Sequence, residues 1–155
     1  MQRHYSRGGI IRGVDNVFGQ EENDAMAAPI DRSTRRFLIA FRYAFAGIGH
    51  LLRTQRNFQI HLLIGAIAIA LGMVFRIARW EWVALALTIG MVLAAEGFNT
   101  AIEATVDLAT SERHPLARIA KDVAAGTVLL CALTAIVVGV LIFGPRLWVL
   151  WLMLT

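Results

Sequence analysis

Four polar residues, Glu96, Asn99, Glu103 and Asp107, close a strongly apolar stretch of the chain. At about 100° per residue, a helix gathers them within an arc of about 80°. Thr100 widens that arc, while the opposite face reads Ala, Phe, Ile, Val and Leu. Three carboxylates and an amide at the end of a membrane-type segment are costly to desolvate, which marks the stripe as a candidate site. Carboxylates at a membrane boundary suit Mg²⁺, which takes oxygen ligands from one or two carboxylates, phosphates and water. A glutamate just inside the apolar layer suits a general base for a lipid hydroxyl. Lys121, early in a following helix, suits phosphate, assisted by the helix dipole. Together these residues read as phosphoryl transfer from a nucleotide to a membrane-dissolved alcohol. Neither GxxxxGK[ST] nor a kinase-type glycine loop is present.

The elements that must position these groups are helices in a membrane. The chain has 155 residues, 57% of them hydrophobic and only 17% charged, with mean hydropathy +0.61. Soluble domains carry about 25% charge. The formal charge of +4 reads as a membrane-orienting bias rather than a nucleic-acid surface. The single Cys131 offers no intramolecular disulfide, and no Cys/His spacing suggests zinc.

Residues 1–32 carry five of the 11 acids and no apolar core of a secretory signal; they read as a disordered cytoplasmic tail. Residues 33–54 place Phe37, Phe41, Phe45, Ile48 and Leu52 at helical spacing among arginines, the pattern of a helix lying in the headgroup layer. Spans are expected at about 58–75, 82–108 and 115–143. Gln59 and His61 fall at the inner mouth of the first, where a lone histidine reads as a packing or hydrogen-bonding residue. Pro115 suits the start of the third span, and Gly144-Pro145 is expected to end it. Residues 144–155 then form an apolar extension along the outer interface, with Trp148 and Trp151 as anchors. The resulting fold class is an all-α membrane protein: three transmembrane helices plus an N-terminal amphipathic surface helix. Lys and Arg divide 12 to three between the two sides, so the N-terminus and the 109–120 connection are expected in the cytoplasm and the C-terminus outside.

The runs EGFNTAIEATVD (Glu96–Asp107) and SERHPLARIAKDVAAGTVL (Ser111–Leu129), with FRYAFAG and RNFQIH upstream, closely resemble the signature of the small bacterial diacylglycerol kinase family, which includes undecaprenol kinases. The resemblance covers about residues 35–143. It implies a bacterial inner-membrane homotrimer using Mg²⁺ and ATP, with each site shared between protomers. It places Glu96 as general base beside the lipid and Asn99 as a residue ordering the site. Glu103 is implied as a metal ligand that also contacts the nucleotide. Tyr43, Glu112, His114, Lys121 and Asp122 would line the ATP site, Arg36 would sit near the lipid headgroup, and Asp107 would support the site. One position departs from the pattern: Gln55 stands where the family has a second metal-binding glutamate, and an amide oxygen brings no charge. Diacylglycerol is the first expected substrate and undecaprenol the second. Taken without the resemblance, Glu96 also fits a proton relay in a small transporter, and Gln55 fits a membrane subunit without activity.

Overall fold

The computed structural model describes residues 32–110 and 112–155. They form four helices: α1 (Arg32–Thr54), α2 (Arg56–Val74), α3 (Arg79–Ala109) and α4 (Pro115–Leu154). The tail expected at 1–32 falls, apart from Arg32, outside the described residues. The chain divides into two units at Phe45/Ala46.

In the first unit, α1 carries a ladder of rings one turn apart. Phe37 and Phe41 meet edge to face at 4.8 Å, and Phe41 and Phe45 lie 6.4 Å apart. These rings are exposed.

The second unit holds the end of α1 and the three long helices. Each of α2, α3 and α4 is long and apolar enough to cross a membrane. Most of their large apolar side chains face outward, among them Leu87, Phe98 and Leu141. That is the reverse of a soluble bundle and the usual arrangement where lipid is the solvent. The middle helix is α3, packed most extensively against α4 and also against α2. Close approach of α2 depends on glycine. A Cβ at Gly65 would lie 3.1 Å from Ile89, and one at Gly72 would lie 2.9 Å from the Trp82 ring. Small residues at such contacts let membrane helices pack by van der Waals attraction. The core gathers at one end, where Ile77, Leu85, Ile142 and Phe143 are buried beneath Phe75 and Trp82.

Two helix ends differ from the expectations. The second long helix starts at Arg79, not Trp82, because Glu81 folds back and its Oε2 accepts the Ala78 N–H at 2.6 Å. This satisfies one of the donors left open at a helix start. The last helix does not stop at Gly144-Pro145; it continues to Leu154, so residues 144–154 extend α4 rather than form a separate segment. Proline removes one N–H from the ladder. Here Arg146 Nη1 donates to the Ile142 carbonyl in the same turn. The same guanidinium grips Glu81 in a two-pronged pair, at 2.9 Å and 2.7 Å. The carbonyl that Pro145 leaves without its N–H partner is that of Leu141, so the Arg146 bond to Ile142 lies one residue along from that gap.

Candidate active site

The stripe lies on α3, and exposure rises along it. Glu96 is 3% exposed and Asn99 9%, Glu103 is half-buried, and Asp107 is exposed. The helix thus carries one polar face from the packed interior to its C-terminal end. Thr100 donates its hydroxyl to the Glu96 carbonyl at 3.0 Å, which keeps its oxygen on the helix itself.

Adjacent members of the stripe are tied together. Asn99 Nδ2 donates to Glu103 Oε1 at 3.0 Å, one turn along. Its other side-chain atom, Oδ1, is buried with no partner among the described residues. Buried acceptors are almost always satisfied, so this oxygen is prepared for a donor. The Glu96 carboxylate meets His61 of α2, with Oε1 3.6 Å from Nε2. That contact is an ion-pair distance rather than a hydrogen bond.

At the α3 terminus the stripe opens into a cleft of about 960 Å³. Glu112, His114, Lys121 and Asp122 all line it, together with Asp107. Their roles differ locally. His114 caps α4, its Nδ1 accepting the Leu116 N–H at 3.2 Å. Lys121 reaches across to α3 and donates to Asp107 Oδ1 at 2.5 Å. Asp122 instead pairs with Arg118, one turn back, at 3.5 Å. The adjacent Lys121 and Asp122 therefore serve different partners. Arg113 and Arg118 also line the cleft, so its rim mixes three cations (Arg113, Arg118 and Lys121) with three carboxylates (Asp107, Glu112 and Asp122), and the cations suit phosphate.

Gln55 is half-buried at the N-cap of α2. Its backbone N–H donates to the Leu51 carbonyl, and its own carbonyl accepts from Gln59. The side chain caps nothing. Among the described residues no three His, Cys, Asp or Glu side chains form a ready-made metal cluster. As the expected ligands, Glu103 and Gln55 would supply one carboxylate and one amide oxygen. So sparse an oxygen set would suit Mg²⁺, which is usually completed by phosphate and water, better than an all-protein cage. Tyr43 and Arg36 belong to the first unit, where both are exposed on α1.

Two polar features escape a reading of the sequence alone. Glu81 and Arg146 are 65 residues apart and carry no local signal. His61 does carry one: on α2 it shares a spacing of three and four with buried Phe58, Gly65 and Gly72, which marks the face turned toward a neighbour.

A carboxylate stripe leading from an apolar helix to an open cleft that holds Lys and Arg as well as carboxylates narrows the comparison to membrane enzymes that handle phosphate. The sequence model of the prokaryotic diacylglycerol kinase family matches residues 42–143. The chain belongs to that family. It is 43% identical over 112 residues to an undecaprenol kinase of Bacillus subtilis, covering 72% of this chain and 91% of that one. It is also 43% identical over 111 residues to a diacylglycerol kinase of Synechocystis, covering 71% of this chain and 63% of that one. A diacylglycerol kinase of Pseudomonas aeruginosa is 34% identical over 104 residues, 67% of this chain and 84% of its own. The chain is therefore a lipid kinase, and its phosphoryl donor is a nucleotide. Membership in this membrane-enzyme family sets aside the transporter reading of Glu96.

Proposed function

We propose that the protein phosphorylates a membrane lipid alcohol with Mg-ATP, converting diacylglycerol to phosphatidic acid. The observation that carries this reading is the pairing of a buried carboxylate, Glu96, with a stripe that ends in an open cleft where Arg113, Arg118 and Lys121 stand among carboxylates. Glu96 takes the proton from the lipid hydroxyl as its oxygen attacks the γ-phosphorus. The bond to the bridging oxygen breaks and ADP leaves. Glu103 lies two turns nearer the cleft, about 10 Å along the axis. A triphosphate lying along α3 bridges that separation. Lys121, with Glu112, His114 and Asp122, holds the nucleotide, to which the family resemblance also assigns Tyr43. Glu103 and Gln55 would hold Mg²⁺, whose charge would offset that of the phosphates. Asn99 fixes Glu103 and offers its unpartnered Oδ1 to a donor in the site. Asp107 steadies Lys121, and Arg36 meets the lipid headgroup.

The cleft faces the cytoplasm of a bacterial inner membrane in this reading, with the C-terminus outside. The assembly is a homotrimer, with neighbours covering the polar stripe. A second substrate reading, undecaprenol, is favoured by the relative that is matched over 91% of its own length.

The test is transfer of the γ-phosphoryl group of ATP to diacylglycerol and to undecaprenol, each in mixed micelles with the purified protein. Diacylglycerol should be the better acceptor, and Glu96→Gln should lose turnover while still binding Mg-ATP. A preference for undecaprenol replaces the first substrate with the second. Transfer to neither alcohol overturns the reading, and undiminished turnover by Glu96→Gln overturns the assignment of the base.

A further inference from the structure

We propose that His61 is a positioning residue for Glu96, orienting the carboxylate toward the lipid hydroxyl. The inference rests on the reading of Glu96 as the general base. Glu96 and His61 come from different helices, and their contact of 3.6 Å is the polar side-chain contact of the Glu96 carboxylate among the described residues. The side chains are 4% and 22% exposed, respectively. A carboxylate this buried needs a polar partner to hold a defined orientation.

The surroundings give His61 that task. It lines an apolar groove of about 380 Å³ between α2, α3 and α4, whose other walls are Thr88 and apolar side chains or glycine. The Thr88 hydroxyl is already committed to the Ala84 carbonyl at 2.7 Å. His61 therefore supplies the polar group where that groove meets Glu96. Its own place is fixed by backbone packing. One turn on, Gly65 lies against Ile89, and further along Gly72 lies against Trp82. These contacts hold the His61 face of α2 against α3. With Oε1 turned to His61 Nε2, the second carboxylate oxygen is left for the lipid O–H.

Three variants test this in the purified protein, read by kcat, by KM for ATP and by lipid phosphorylation. His61→Leu keeps an apolar side chain of similar reach but removes the polar partner. It should lower kcat about 10- to 100-fold, the range seen when a side chain that orients a functional group is removed, with KM for ATP unchanged. His61→Gln keeps a polar N–H group beside Glu96 and should recover most of the lost turnover. Packing alone predicts the opposite order, since leucine suits an apolar groove better than glutamine does. Wild-type kcat in His61→Leu overturns the proposal, and so does an equal loss in both variants. Glu96→Gln, measured alongside, separates the two readings. If it is inactive while His61→Leu is unimpaired, only the positioning role falls. If it retains turnover, the base assignment falls and the positioning role with it.

Discussion

Replacing Asn99 with leucine should separate activity from stability. In the structure Asn99 does two things of opposite sign. Its Nδ2 donates to the Glu103 carboxylate at 3.0 Å, and its Oδ1 is buried without a partner among the described residues. A hydrogen bond to a charged group stabilises by about 1.5–3 kcal/mol, and an unsatisfied buried acceptor costs about 1–3 kcal/mol. Asn99→Leu removes both, so the two terms largely cancel and the fold should change in stability by no more than about 2 kcal/mol either way. Catalysis has no such offset. Freed from Asn99, Glu103 loses its fixed orientation, and the same 1.5–3 kcal/mol corresponds to a fall of about 10- to 150-fold in kcat/KM for Mg-ATP. The assays are thermal unfolding of the detergent-solubilised protein and steady-state lipid phosphorylation across an ATP titration. A large loss of Tm with Asn99→Leu would show that Oδ1 has a partner in the assembled protein. Unchanged kcat/KM would refute the claim that Asn99 positions Glu103.

Further expectations concern the metal, the helix contacts, the assembly and the topology. Gln55→Glu should lower the half-saturating Mg²⁺ concentration, because Mg²⁺ prefers anionic oxygen; an unchanged or raised value in a Mg²⁺ titration removes Gln55 from the metal site. Gly72→Ala places a methyl 2.9 Å from the Trp82 ring and should destabilise by about 1–3 kcal/mol through overpacking, measured as a lower unfolding temperature; an unchanged temperature would mean that α2 and α3 do not need that approach. Mixing Glu96→Gln protomers with Lys121→Ala protomers should restore part of the activity if sites are shared, and verified mixed oligomers with no recovery would make each site self-contained. A reporter fused after Thr155 should lie outside the cell, while a cysteine at Ser111 should be labelled from the cytoplasm; both on one side would overturn the topology.

The helices and the stripe are legible in the sequence because both depend on short-range spacing. Glu96, Asn99, Glu103 and Asp107 share a face through the helical repeat alone, and apolar length marks the three long helices. Lys121 and Asp122 read as one functional pair because they are neighbours in the chain. Helical geometry points them differently: Asp122 meets Arg118 one turn back on its own helix, whereas only the packed structure gives Lys121 to Asp107. His61 looked isolated for a related reason. Its spacing with Phe58, Gly65 and Gly72 was visible, but which helix that face meets depends on tertiary packing. Gly144-Pro145 reads as an end because the rule that proline stops a helix is local, whereas Arg146 and Glu81, which tie the stretch beyond it to α3, meet from 65 residues apart.

Those two groups also help fix the register that the site needs. Helices α3 and α4 run antiparallel and are joined by an ion pair near each end: Glu81 to Arg146, and Asp107 to Lys121. The pairs are separated by about 39 Å along α3 and about 38 Å along α4, at 1.5 Å per residue. The two lengths match, so both bridges can close only when the helices are in one lengthwise alignment. The separation also exceeds the hydrocarbon thickness of about 30 Å, which lets both pairs lie outside the most apolar layer. Apolar packing between them slides at little cost, because lipid solvates leucine as well as another helix does. A slip of one turn, about 5.4 Å, would part Lys121 from Asp107 and shift the cleft relative to Glu103. Arg146 and Glu81, at the far end of α3 from every group assigned to chemistry, thereby help set where the nucleotide cleft stands along the carboxylate stripe.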